Sequence, residues 1–118
     1  MEWQIDDSRP IWMQLSEQLT RRIVSGQYPK GTRLPSVREL AAEAGVNPNT
    51  MQRALAPLED QGLAVGNRTQ GRMVTEDEEK LRAVRLALAE ELKNTYLDGM
   101  AVLGFTRADA CRLLEEGA

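Results

Sequence analysis

A mainly α-helical fold with one small β-hairpin, followed by a separate helical pair, is what three features of this 118-residue sequence predict. Residues 33–53 read as two short capped helices hinged on a glycine. Two short apolar runs flank a glycine-bounded turn at 66–71. From Glu76 the pattern changes to a long amphipathic helix and then a shorter one, so the expected domains are 1–75 and 76–118.

Taken in order, residues 3–6 (WQID) suggest a short extended segment whose Trp3 and Ile5 cover an apolar surface. Residues 8–26 predict the first helix. Ser8 is a cap candidate, Pro10 lies in the first turn, Ile11, Trp12, Leu15, Leu19 and Ile23 recur at helical spacing as a core stripe, and Gly26 stops it. Pro29, Gly31 and Pro35 make the link 27–35 a turn and a short edge strand. Ser36 then caps a second helix, with Glu39 completing a capping box and Val37, Leu40, Ala41 and Ala44 on one apolar face, and Gly45 ends it. Asn47 caps a third helix whose first residue, Pro48, has no N–H to leave unpaired. Pro57 removes the bond to the Arg53 carbonyl and predicts a kink or an early change of direction, and Gly62 closes the helix. Residues 63–65 and 72–74 are the strand candidates.

In the C-terminal part the acidic cluster EDEE complements the dipole at the start of a long helix. Leu81, Val84, Leu88, Leu92 and Tyr96 form one apolar row, and Ala83, Leu86, Ala87 and Ala89 widen it. Gly99 and Gly104 bracket a turn. Thr106 and Asp109 then start a last helix in which Ala110, Leu113 and Leu114 face inward.

Two helices joined through a glycine turn make a helix-turn-helix. At about 100° per residue, Met51, Ala54, Leu55 and Leu58 gather on one side of the third helix, and Asn49, Gln52, Arg53 and Ala56 on the other. Asn and Gln bond adenine edges in a bidentate way, Arg bonds guanine or phosphate, and the N-terminal residues of such a helix reach deepest into a major groove. The competing reading is a solvated polar face on a small helical domain.

Together, PIWMQL (10–15), GQYPKGTRLPSVRELA (26–41), VNPNTMQRAL (46–55) and LEDQGL (58–63) resemble the winged-helix DNA-binding domain of the GntR transcription regulators. The short chain is most similar to their YtrA-like branch. The resemblance is dense over 10–74 and thinner beyond. It implies a winged helix-turn-helix, and a homodimeric repressor that binds a palindromic operator. Asn49, Gln52 and Arg53 would enter the major groove, with Pro48 in van der Waals contact. Arg38, Asn47 and Thr50 would fix the register on phosphates, and Arg68, Gly71 and Arg72 would touch the adjacent backbone or minor groove. For Arg38 the competing reading is an exposed ion pair with Glu39 or Glu43. Leu81, Val84, Leu88, Leu92 and Tyr96 would carry dimerisation. Trp12 stands where the family usually has a tyrosine, and should pack under the helix pair. The wing departs from the pattern: Arg68 and Gly71 match, but Thr69 and Gln70 replace the first glycine and its neighbour, placing side chains where bare backbone would approach a groove.

Composition narrows the alternatives. The net charge of −3 divides into +1 for residues 1–75, with nine Lys/Arg against eight Asp/Glu, and −4 for 76–118, with six against ten. Arg33, Arg38, Arg53, Arg68 and Arg72 therefore supply a local basic face within an acidic whole, and binding as a dimer would double its phosphate contacts. With no histidine and one cysteine, a His-dependent triad, a zinc site and an internal disulfide are excluded. Cys111 reads as a buried small apolar residue, with a redox sensor as the minor reading. No apolar run approaches membrane-spanning length and MEWQIDDSRP has no signal-peptide pattern, so a cytoplasmic protein without membrane contact is expected. No cofactor is expected. In one branch of the family a similar head is fused to an aminotransferase-like domain, and this chain is roughly 300 residues too short to hold one. A protein-binding winged helix is the second alternative, prompted by the acidic total and the altered wing. A small effector in the crevice between the two parts, or control by concentration, is left open.

Overall fold

A computed structural model describes residues 2–117 and contains α1 (Ile11–Val24), α2 (Val37–Ala44), α3 (Pro48–Asp60), β1 (Ala64–Asn67), β2 (Gly71–Val74), α4 (Glu78–Val102) and α5 (Arg107–Glu116). The chain divides into two compact units, one through Arg85 and one from Leu86, with the boundary inside α4.

The first unit is built on α1, which packs chiefly on α3. Leu15, Leu19 and Ile23 are buried with Leu34, Leu40, Met51, Ala54, Leu55, Leu58, Leu63 and Val74. The expected start of α1 shifts. Ser8 donates its backbone N–H to Asp6 at 2.8 Å, and the helix begins after Pro10, whose carbonyl accepts from Met13 and Gln14. Ile11, expected in the core, is 40% exposed because the first turn overruns the underlying layer, and Trp12 is half-buried against it. The segment ahead of α1 is extended without a strand partner. Gln18 bonds both the N–H and the carbonyl of Gln4, at 2.9 and 2.7 Å, and Gln14 does the same for Asp6, at 3.0 and 2.9 Å. Two glutamine amides one helical turn apart thus imitate a neighbouring strand, and Trp3 and Ile5 lie against the core.

α2 and α3 form as their caps predict. Ser36 and Glu39 make the reciprocal capping box, Gly45 ends α2 at φ +70°, and Asn47 accepts the Asn49 N–H at 2.8 Å with Pro48 in the first helical position. Pro57 does not end α3. The helix runs on to Asp60 because Leu55 and Leu58 on either side are buried, and Gly62 closes it at φ +75°. β1 and β2 pair antiparallel from Ala64↔Val74 to Asn67↔Gly71, so β1 extends through Gly66 and the turn shrinks to 68–70. The expected edge strand is a bridge of Arg33 to Met73, flanked by Val74 N–H to Thr32 at 2.8 Å and Leu34 N–H to Arg72 at 2.9 Å. Leu81 and Val84 at the start of α4 pack on this core.

In the second unit α4 continues through Gly99, which therefore does not bracket a turn as expected; Gly104 alone makes the reversal, at φ +93°. Thr106 and Asp109 form the second capping box. The Tyr96 hydroxyl donates to the Ala110 carbonyl at 2.7 Å, and Ala110 is buried. Three expectations fail here. Leu113 and Leu114 are 39% and 60% exposed rather than inward, and Cys111 is exposed. Two helices of this length enclose too little volume to bury both rows of apolar residues within one chain.

Candidate nucleic-acid interface

The capped start of α3 sets the geometry of the site. Asn47 is outside the helix with an extended backbone, Pro48 and Asn49 follow on its exposed first turn, and Thr50 is half-buried. One turn on, Gln52 and Arg53 are exposed, while Met51, Ala54 and Leu55 anchor the opposite face in the core. Polar side chains whose chemistry suits base edges are thus presented to solvent by a helix whose position is fixed from behind. The orphan N–H groups of its first turn add partial positive charge at the same end.

Arg38 is exposed in the first turn of α2. Glu39 and Glu43, the carboxylates near enough in sequence to pair with it, are engaged elsewhere. Glu39 accepts the Ser36 N–H, which holds its carboxyl below the usual glutamate range, and Glu43 accepts from Trp3 Nε1 and from Arg22, both at 3.1 Å. Arg33, on the bridge to β2, lines a shallow cleft of about 130 Å³ with Ser36, Gln70 and Arg72. This gathers an exposed arginine beside the N-terminus of α2.

The wing tip is held by one side chain. Asn67 Oδ1 accepts from the Thr69 N–H and hydroxyl, both at 2.9 Å, and from the Gln70 N–H at 3.1 Å, while Gly71 takes φ +81°. Arg68 is exposed on the resulting turn. Arg72 differs from Arg68. Its Nε donates to Glu59 of α3 at 2.8 Å, its side chain is 21% exposed, and any contact with DNA competes with that pair. Arg53 is also engaged within the chain, with its guanidinium carbon 4.4 Å from the centroid of the Trp12 ring. Glu59 and Trp12 were missed as parts of the site, since one reads as a solvated helix residue and the other as core. A helical projection places Arg53 and Glu59 on opposite flanks of the polar face, but it does not show that β2 and α1 supply their partners.

Among the expected dimerisation residues, Leu81, Val84, Leu88 and Tyr96 are half-buried and Leu92 is 68% exposed. Among the described residues no cluster of His, Cys, Asp and Glu could hold a metal, and no helix is long and apolar enough to cross a membrane.

Residues 13–74 match the family described as bacterial regulatory proteins of the gntR family. The chain is 34% identical over 109 residues to the uncharacterized HTH-type transcriptional regulator YhcF of Bacillus subtilis, covering 92% of this chain and 90% of that protein. It is 33% identical over 99 residues to the HTH-type transcriptional repressor YtrA of the same organism, covering 80% and 76%. Among solved structures, a GntR family transcriptional regulator from Listeria monocytogenes superposes with a TM-score of 0.87 at 34% identity, covering 95% of this chain and 98% of that one. YtrA from Sulfolobus acidocaldarius, a GntR-family transcription factor, gives 0.57 at 28% identity, covering 78% and 96%. These relatives are transcription regulators and not enzymes. The chain belongs to the GntR family of bacterial regulatory proteins, as a transcriptional regulator of the YtrA and YhcF kind whose winged helix binds DNA.

Proposed function

We propose that this regulator is a cytoplasmic repressor that binds a palindromic operator as a homodimer. The observation that carries the reading is the exposed polar start of α3, with Asn49, Gln52 and Arg53 backed by a buried apolar face and flanked by exposed Arg38 and Arg68. Asn49 and Gln52 suit adenine edges and Arg53 a guanine or a phosphate, while Asn47, Thr50, Arg38 and the wing bind the backbone.

Dimerisation is supported by the second unit. Leu92, Val102, Leu103 and Leu114 are 68%, 87%, 72% and 60% exposed there, an apolar surface that a second copy would cover. Two copies related by a two-fold axis require half-sites about one helical turn apart, roughly 34 Å. Repression is the named role of the YtrA relative.

Selection of bound sequences from a random duplex pool, with the solution mass determined in the same buffer, tests this directly. An enriched palindrome together with a dimer mass is expected. A stable dimer that enriches nothing at low salt would sink the reading in favour of a protein-binding winged helix.

A further inference from the structure

We infer that Trp12 is a positioning residue for DNA binding, holding the Arg53 guanidinium in place through the face of its indole ring. The inference rests on the reading of α3 as the DNA-reading helix. The Arg53 guanidinium carbon lies 4.4 Å from the ring centroid. Trp12 is half-buried against the core, so packing fixes the ring, whereas Arg53 is exposed and makes no salt bridge among the described residues. The stack is therefore what orders this side chain.

A long arginine left in solvent loses much rotamer freedom when it binds, which weakens the contact it makes. Stacking removes that loss beforehand without using hydrogen-bonding capacity, because the guanidinium donors lie in the plane of the group and the ring attracts its face. The fork that bonds a guanine edge or a phosphate stays available. α3 is then secured on both flanks of its polar face: Glu59 holds Arg72 of β2 on one side, and Arg53 lies on Trp12 of α1 on the other. Trp12 acts on DNA only through Arg53. An aliphatic residue at this position could fill the edge of the core but offers no π-face.

The test is a double-mutant cycle on the full chain with the operator duplex enriched by the wild-type protein. Affinity is measured for Trp12→Leu, Trp12→Phe, Arg53→Ala and the Trp12→Leu/Arg53→Ala pair, well below each protein's melting temperature. Trp12→Leu should lose about three- to tenfold in affinity and Trp12→Phe should recover most of it. On the Arg53→Ala background, Trp12→Leu should cost nothing further. A purely structural tryptophan would weaken binding by the same factor with or without Arg53, and that additivity overturns the inference, as does wild-type affinity in Trp12→Leu. If the wild-type chain enriches no duplex, the reading of α3 itself fails and this inference falls with it.

Discussion

Side chains of the same chemical type have been sorted by this fold into different tasks. Arg38 and Arg68 are exposed, Arg72 is tied to Glu59, Arg53 lies on Trp12, and Arg22 is 1% exposed. Among the exposed polar residues, Gln52 included, the expected effects on binding differ in kind. Gln52→Ala should cost about 1–3 kcal/mol and relax the preference at one base position, whereas Arg38→Ala should weaken all sequences alike and lower the salt slope by about one. Titrations of both variants against the enriched operator and a scrambled duplex separate the two. Arg22 has a structural task. It donates to the Tyr28 hydroxyl at 2.8 Å and to Glu43 at 3.1 Å, and its guanidinium lies 3.9 Å from the Trp3 ring centroid, so it ties α1 to α2 and to the N-terminal segment. Arg22→Ala should destabilise the protein by about 2–4 kcal/mol in urea unfolding, since it empties a buried site and removes the contacts to Tyr28, Glu43 and Trp3 together. A loss below about 0.5 kcal/mol, the range of ordinary surface changes, would show that the site is not coupled to the fold. This burial was not legible in the sequence: Arg22 stands next to Ile23 like any last-turn cation, and its carboxylate partner comes 21 residues later.

At the scale of elements, most of what is encoded within four or five residues is legible in the sequence, the expected cap at Ser8 excepted. Ser36 with Glu39, Gly45, Asn47 with Pro48, and Thr106 with Asp109 each start or stop a helix through bonds to near neighbours. What depends on distant partners is not. Pro57 is carried inside α3 by the burial of Leu55 and Leu58, and β1 outruns Gly66 because it pairs with β2. The exposed start of α3 was legible for the same local reason as its cap, while the roles of Glu59 and Trp12 follow only from the packing of β2 and α1 around it. The capping boxes also predict how these helix starts respond to acid. The Ser36 backbone N–H holds the Glu39 carboxyl low, and that of Thr106 does the same for Asp109. A carboxylate whose pKa falls on folding stabilises the native state above its unfolded value, and that contribution is lost as the pH drops through the folded value. Glu39→Gln can still accept the Ser36 N–H but does not titrate. Its stability deficit relative to the wild type should therefore narrow as the pH is taken from about 6 to about 3, where glutamates protonate. A deficit that stays constant across that range would mean that the charge of Glu39 contributes nothing to the cap.

For the whole molecule, the division of charge and the division of burial coincide in outline. The basic excess lies in residues 1–75 with the well-filled core, while the acidic excess lies in 76–118, most of which belongs to a unit whose leucines are largely in solvent. The acidic excess thus falls outside the residues that carry the exposed Arg38 and Arg68, and the exposed leucines form an apolar surface of the kind that marks an interaction site. This sets up a separation of effects under the proposed dimer. Leu92 is 68% exposed, so Leu92→Glu removes no buried contact within its own chain and should leave the melting of the winged-helix unit unchanged. Within a dimer seam the same change buries an unpaired carboxylate, which is costly enough to shift the mass towards the monomer at micromolar concentration. A monomer contacts one half-site, so its operator affinity should fall by several orders of magnitude and the slope of log affinity against log salt should roughly halve, because half as many phosphates are neutralised. Sedimentation and salt titrations on one preparation follow both quantities together. A Leu92→Glu protein that keeps its dimer mass and its full salt slope would take Leu92 out of the seam and leave its exposure to be explained by some other contact.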